Sequence, residues 1–428
     1  MSVQEFVIKN GVLEKYNGNG GDIVIPEGVV SFGYGAFDDD VKISSVTLPE
    51  SIRSCSGFFN DRKGLRKNNY DNAYYLGTKD NPYFYLLKAK DNYIPSCEIH
   101  KDTVVIGFLA FSICEKLTDI VIPDNVKYID QSAFYYSDIL RLTIGAGVEK
   151  IGHCAFKGCY HIEEINYNAT EAEDFTSHNG IFEEASKYGN GISIKIGKNV
   201  RRIPAYLFGA ISHHEDHPKV ISLEFEEGSV CESIGECAFS SCAEMKIKNL
   251  GERLKSIDIC AFENCHELRS VILPDSLEFL GERAFAHCMS LRELKLSASL
   301  KAISKAAFYS CYMFENLQIP DSVTEIGEAA FKDCAYVANV SLGCGVSVIE
   351  KDAFYNCYSM KRINIPRSVK EIGEGAFGRC IALSAARFED TKGWMAGDAP
   401  IAPADIRGSI KAAALLRDSN ANLPWKKA

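Results

Sequence analysis

The side chains best suited to chemistry here are sixteen cysteines and nine histidines in a chain of 428 residues. Cys154, Cys237 and Cys260 each stand five residues before a second cysteine, at Cys159, Cys242 and Cys265, and C-x4-C spacing is a possible metal-ligand pattern. The sequence His213-His214-Glu215-Asp216-His217 concentrates three imidazoles and two carboxylates, a donor set for zinc or nickel. His153 beside Cys154 has the composition of a Cys–His nucleophile. Asn17-Gly18-Asn19-Gly20-Gly21 is glycine-rich, but no helix pattern follows it to present N–H groups to a phosphate, so it reads as a turn.

The placement of these residues argues for bland roles. Nine cysteines (Cys114, Cys159, Cys242, Cys265, Cys288, Cys311, Cys334, Cys357 and Cys380) follow a phenylalanine by three positions, and Cys154, Cys237 and Cys260 precede one by two. Both slots read as inward and small, where a cysteine is a compact apolar group whose weak S–H donor can meet a turn carbonyl. Structural thiols are therefore expected, without zinc, and parallel side chains in a packed column are poorly arranged for disulfides. The histidine cluster lies in a polar loop with no evident outer shell of partners. Adjacent residues in a coil point in and out, which separates His153 from Cys154. No cofactor and no catalytic residue is implied.

The phenylalanines that order the cysteines belong to a repeated Ala-Phe pair. From Phe239 to Phe377 the interval is 23 residues six times running, with further members at Phe111, Phe134 and Phe156, and irregular intervals run through Phe208, which follows leucine. In one unit, Leu268-x-x-Val271-x-Leu273 has the alternation of a strand, and Pro274 stops it because proline cannot donate to a ladder. Leu277, Leu280 and Gly281 then carry the chain through turn or 3-10 geometry to Ala284-Phe285. A single unit cannot bury all these apolar positions. Stacked units can, because each slot falls above its counterpart. The predicted fold is a mainly β repeat solenoid with short parallel strands on one face and turns on the other.

The segments 268–288 (LRSVILPDSLEFLGERAFAHC) and 323–334 (VTEIGEAAFKDC) resemble the BspA-like leucine-rich repeat, a bacterial repeat type. The resemblance spans nearly the whole chain. It implies a right-handed coil and binding rather than catalysis, and some relatives of this kind are surface adhesins.

Departures from the period divide one continuous solenoid. Residues 1–59 read as an N-terminal cap with degenerate repeats, and 60–100 as an aromatic hairpin insertion rich in tyrosine with basic Arg62, Lys63, Arg66 and Lys67. Residues 101–159 carry regular repeats, and 160–230 long irregular ones, with a bulge near 168–191 expected to hold a short helix. Residues 231–388 carry the regular 23-residue repeats. Residues 389–428 form a C-terminal cap in which IRGSIKAAALLRDS is a helix and LPWKKA lies back on the last coil.

The outward strand positions, from Ser270 and Ile272 to Arg362 and Asn364, are polar and mixed. The positions after Ala-Phe are richer: Tyr135, Tyr136, Tyr160, Tyr309, Tyr312, Tyr336, Tyr355 and Tyr358 fall in rows along one edge. Tyrosine gives a large contact at low entropy cost, so these are the candidate protein-binding residues; otherwise they shield the loop edge of the core. A net charge of -10 argues against nucleic acid or an anionic membrane. The N-terminal residues have no leader pattern, and no apolar run suits a membrane span, so a cytoplasmic location is expected, the alternative being a secreted or surface protein. The leading expectation is a non-catalytic protein-interaction scaffold. The alternatives are an adhesin, or a ligand or metal binder at the insertions.

Overall fold

A single coil shows how 23 residues close on themselves. Ser270–Ile272 is a strand whose central Val271 is buried, and Pro274 ends it. The N–H of Leu277 donates to Pro274 O at 3.0 Å and turns the chain into a second, two-residue strand, Phe279–Leu280. Gly281 leads into the Ala284-Phe285 turn, and Cys288 N–H donates to Phe285 O at 3.3 Å. Leu268, Val271, Leu273, Leu277, Leu280, Phe285 and Cys288 all point inward, none more than 1% exposed. The computed structural model describes residues 5–209 and 217–428.

Coils stack in register. Ser270, Val271 and Ile272 pair in parallel with Glu293, Leu294 and Lys295, and Ser256 and Ile257 with Phe279 and Leu280. The far face, expected as turns or 3-10 geometry, thus contains a second ladder of two-residue strands followed by hydrogen-bonded turns. The turns form a third ladder: the N–H groups of Arg283, Phe285 and His287 donate to the next coil's Lys305, Ala307 and Tyr309 carbonyls at 3.0, 2.9 and 2.7 Å. This alternate-residue donation needs left-handed backbone two residues before and two after the phenylalanine. Arg283 and His287 sit at φ 56° and 61°, and Gly375 and Gly158 fill the corresponding slots elsewhere at 69° and 71°. Most non-glycine residues avoid that region; here inter-coil hydrogen bonds hold them in it. The two strand ladders are interrupted between Glu293–Lys295 and Asn316–Gln318 and between Phe279–Leu280 and Ala302–Ile303. The turn ladder continues through Phe308 N–H to Ala330 O at 2.9 Å.

A longer period underlies the 23-residue one. Pro123-Asp124-Asn125 is followed one coil later by Gly145-Ala146-Gly147, and Pro320-Asp321-Ser322 by Gly343-Cys344-Gly345. The aspartate of the first coil accepts the N–H of the second: Asp124 from Ala146 and Asp321 from Cys344, both at 2.8 Å. That N–H holds the Asp321 carboxyl below the usual carboxylate range. The second coil must then approach closely. A Cβ on Gly345 would stand 2.1 Å from Asp321 O, and one on Gly147 1.8 Å from Asp124 O. Gly345→Ala is expected to cost about 1–3 kcal/mol through overpacking, whereas removing the exposed thiol in Cys344→Ala stays within about 0.5 kcal/mol. Urea midpoints of the two variants check the contrast, and equal midpoints would refute it.

The described residues fall into two units, one from Met1–Glu173, Ser177–Lys195 and His214–Lys219, the other from Asp174–Thr176, Ile196–His213 and Val220–Ala428. In the first, Phe6–Lys9 pairs antiparallel with Val12–Tyr16, which pairs in parallel with Ser31–Phe32 and so starts the stack. The insertion is a three-stranded antiparallel meander of Asn68–Tyr70, Ala73–Leu76 and Tyr85–Ala89, and its last strand joins the second ladder through Val105–Ile106. Phe111, Phe134, Phe156 and Phe182 form a column with centroids 4.9–5.1 Å apart and planes within 9°. Phe182 corrects the expectation for 168–191. That segment contains no helix but a further coil, in which Ile181 takes alanine's place and accepts the Phe156 N–H at 2.9 Å.

In the second unit the phenylalanine column runs from Phe208 to Phe377 at 5.1–5.6 Å with planes within 10°. The last coil is closed as expected. Trp425–Lys427 pairs antiparallel with Glu371–Ile372 and with Trp394–Ala396. The helical segment is split by Gly408 into Pro403–Arg407 and Ser409–Ala414, with Ile406, Ala412 and Ala413 buried.

Candidate interaction surface and thiol columns

The turn ladder decides which side chains leave the core. At the phenylalanine and the cysteine three residues later the chain points inward. At the intervening positions, and just after the cysteine, it points to the edge. In the first unit this brings three of the expected tyrosines together. Tyr135 meets Tyr136 edge-on at 4.3 Å, and Tyr136 meets Tyr160 at 5.3 Å. Tyr188, absent from the sequence-based set, extends the row with its ring 4.8 Å from Tyr160, and it is 69% exposed. The signal for it was the Phe182 coil, which an Ala-Phe search passes over.

Glu184 organises this patch from a left-handed position, φ 59°. Its Oε2 accepts the hydroxyls of Tyr136 and Tyr160, both at 3.4 Å, while its Oε1 pairs with Lys187 Nζ at 2.9 Å. The Tyr136 phenol is raised chiefly by its hydrogen bond with Tyr160, and Tyr135 by burial. Both therefore stay neutral at pH 7. The row offers apolar ring faces together with phenol groups fixed in direction, a surface able to contact another protein by area and by hydrogen bonds.

The tyrosines of the second unit are not joined in this way. Tyr309 packs edge-on against His287 at 5.0 Å with the Arg283 guanidinium 6.0 Å from its ring. Tyr355 carries Lys332 at 4.8 Å. Tyr336 and Tyr358 are exposed, and Tyr312 is half-buried. Tyr309 with Tyr355, and Tyr312 with Tyr358, are 46 residues apart, so another residue type stands between the members of each pair. The strand face is polar as expected, with Asn339 Nδ2 donating to Asn316 Oδ1 at 2.8 Å.

The cysteines divide by slot. Three residues after the phenylalanine, the thiols of Cys159, Cys265, Cys288, Cys311, Cys334, Cys357 and Cys380 each donate to the preceding coil's phenylalanine carbonyl at 3.1–3.4 Å. Ser137 makes the same bond to Phe111 O. Burial pushes the Cys159 thiol up to about 12 and raises Cys242, Cys288, Cys334 and Cys357 strongly. These thiols fill space and hold coils together, and all sixteen cysteines are free.

The slot two residues before the phenylalanine is buried for Cys154 and Cys237, as expected, and less so for Cys260. It is left-handed, and in the second unit it also holds Tyr206, Arg283 and Asp352. Cys260 is only half-buried. Glu263 is held by Arg283 Nε at 2.9 Å, and the Tyr206 hydroxyl donates to Glu236 at 2.5 Å. In the first unit, Cys154 Sγ lies 3.7 Å from His153 Nε2, closer than the alternation of side chains implies. Burial nevertheless raises that thiol, the reverse of an activated nucleophile.

Among the described residues no group of three or more His, Cys, Asp or Glu side chains is placed to hold a metal ion. Residues 213–216 of the histidine cluster lie outside the described residues. In the insertion, Tyr83 stacks on His100 at 3.9 Å and meets Tyr75 edge-on at 5.5 Å. Arg62 donates to the Asp38 and Val41 carbonyls at 2.7 and 2.6 Å, and Lys88 pairs with Asp61 at 2.5 Å. The insertion's aromatic and basic groups are thus largely engaged with their own unit. No helix among the described residues is long and apolar enough to cross a membrane.

A family model of the BspA-type leucine-rich repeat region matches six copies over residues 9–73, 88–215, 215–336 and 301–392. Among solved structures, a leucine-rich repeat protein from Bacteroides ovatus is 23% identical with a TM-score of 0.52, covering 90% of this chain and 94% of its own. The T. pallidum leucine-rich repeat protein is 30% identical with a TM-score of 0.36, covering 38% of this chain and 78% of that one. A leucine-rich cell surface protein from Faecalibacterium prausnitzii is 20% identical with a TM-score of 0.31, covering 90% and 93%. No curated protein sequence matches the chain.

Proposed function

The chain belongs to the BspA-type leucine-rich repeat family, and from that premise we propose that it is a non-catalytic scaffold that binds another protein through tyrosines on its turn face. The observation that carries this reading is the contiguous row Tyr135, Tyr136, Tyr160 and Tyr188, braced by Glu184. Rigid aromatic groups of this kind dominate the energetics of protein interfaces. A row whose phenols are already oriented loses little freedom on binding. The free, buried thiols suit a reducing compartment, which favours an intracellular role.

The test is chemical crosslinking with mass spectrometry on the whole chain, followed by affinity measurement on the recovered partner. Tyr160→Ala combined with Tyr188→Ala should weaken that complex by about 30-fold or more, the effect of losing a 2 kcal/mol anchor. Circular dichroism should show the fold retained. Crosslinks confined to the polar strand positions, or unchanged affinity in a folded double variant, would remove the basis for this reading.

A further inference from the structure

We propose that the strand face around Asn316, Asn339 and Arg362 binds a uronic-acid sugar, a ring with several hydroxyls and one carboxylate. The strand ladder of the second unit is interrupted between Glu293–Lys295 and Asn316–Gln318, and an open depression of about 820 Å³ lies beside that interruption. This volume suits a small ligand. Leu294 and Val340 help to line it. They occupy the slot in which Val271 is fully enclosed, yet both are partly exposed. They give the floor an apolar surface for the C–H face of a ring.

The polar groups are in register across three coils. Asn316 pairs with Asn339, and Asn339 with Arg362, in the parallel ladder. These side chains therefore stand in one outward row, on backbones about 4.8 Å apart. The bond from Asn339 Nδ2 to Asn316 Oδ1 orients both amides. It leaves Asn316 Nδ2 as a donor and Asn339 Oδ1 as an acceptor for a ligand. Lys361 and Arg362 are exposed, and among the described residues neither makes an ion pair. Although the chain carries a net charge of -10, the lining contains these two cations and no carboxylate. Of the nearby acids, Glu293 accepts the Ser270 hydroxyl at 2.7 Å, and Glu315 stands outside the lining.

This set of groups selects the ligand. A guanidinium takes a carboxylate in a bidentate pair, and Lys361 adds charge beside it. A bare carboxylate offers acceptors alone and would leave Asn339 Oδ1 unmatched. A hydroxyl both donates and accepts, so sugar hydroxyls satisfy the two amides and Ser341, which also lines the depression. An acidic peptide would match the charge, but the lining holds no aromatic ring to serve as its anchor. A uronic acid presents carboxylate, hydroxyls and a C–H face on one rigid frame, matching the three kinds of group found here.

The test titrates the full-length chain calorimetrically with galacturonic acid, trigalacturonic acid, its methyl ester and a triglutamate peptide. Both free sugar acids should bind. Equal affinities identify a single-ring ligand, and a tighter trimer identifies a chain. The ester keeps the hydroxyls but loses the charge, and should bind about 10-fold more weakly or worse, the effect of losing one charge-assisted contact. Arg362→Ala and Asn339→Ala should each weaken trigalacturonate binding measurably with circular dichroism unchanged, whereas Arg387→Ala, outside the lining, should leave it unchanged. No binding at millimolar concentration, equal affinity for triglutamate, or unchanged affinity in a folded Arg362→Ala variant overturns the proposal. The ester and triglutamate titrations of the wild-type chain decide it even if a variant fails to fold.

Discussion

Phe331→Ala is expected to cost about 3–5 kcal/mol, the range for deleting a large aromatic from a close-packed core. Phe331 is fully buried, with Phe308 and Phe354 on either side at 5.4 Å and Phe314 edge-on at 6.5 Å. The column cannot close over the gap, because its spacing is set by the backbone ladders and not by the rings. Phe331 N–H is bonded to Ala353 O at 2.8 Å, and Phe331 O accepts the Cys357 thiol at 3.3 Å. Both anchors use the main chain and survive the substitution. The loss should therefore appear as a cavity at one coil, with its neighbours still in place. In a repeat protein such damage is felt first by adjoining coils. Hydrogen exchange should accelerate most between Phe308 and Phe377, and the urea midpoint should fall. A loss below about 1 kcal/mol would contradict a shared buried column.

Trp425→Ala is expected to cost a similar amount, about 3–5 kcal/mol, and also to promote association. Trp425 is 1% exposed, lies against Phe388 at 6.0 Å and Trp394 at 6.3 Å, and donates its indole N–H to Asn420 O at 3.3 Å. Its strand is what pairs with the edge of Glu371–Ile372. Without the indole, little apolar contact remains to hold Trp425–Lys427 there, since Lys426 and Lys427 contribute mainly ion pairs with Glu371 and Asp390. The exposed strand edge would then be free to pair with another molecule. Urea denaturation and light scattering check the two parts. A variant that stays monodisperse and loses under about 1 kcal/mol would show that the tail does not close the stack.

Much of this organisation was readable from side-chain type and position. The Ala-Phe period located the column, the cysteines three residues on were expected as donors to turn carbonyls, and the tail was expected to return to the last coil. The failures share a cause. Phe182 was overlooked because Ile181 replaces alanine, and the backbone tolerates that exchange since only the residue's carbonyl is used by Phe156. The partial exposure of Cys260 was not legible because apolar spacing does not reveal a left-handed residue, although Arg283 and Asp352 in the same slot carried a contrary signal. The succession of Pro-Asp by Gly-x-Gly one coil later was visible in the letters, but its meaning rests on how closely the second coil approaches Asp321 O.

Sequence alone determined that like residues must lie over like, because 23-residue units with one large ring each can satisfy their apolar positions only by sharing a core. It likewise determined the strand and turn order within a coil, since alternation, proline and small residues act locally. Tertiary structure alone decided which tyrosines meet and how exposed each thiol is. Tyr135, Tyr136, Tyr160 and Tyr188 come from different slots, and their contact depends on left-handed turns and a 26-residue coil that bring distant backbone into line. The inner thiols meet the preceding coil's phenylalanine carbonyls only because neighbouring coils hydrogen-bond in register. Such contacts arise between coils, where the spacing of residues along the chain gives no measure of their distance.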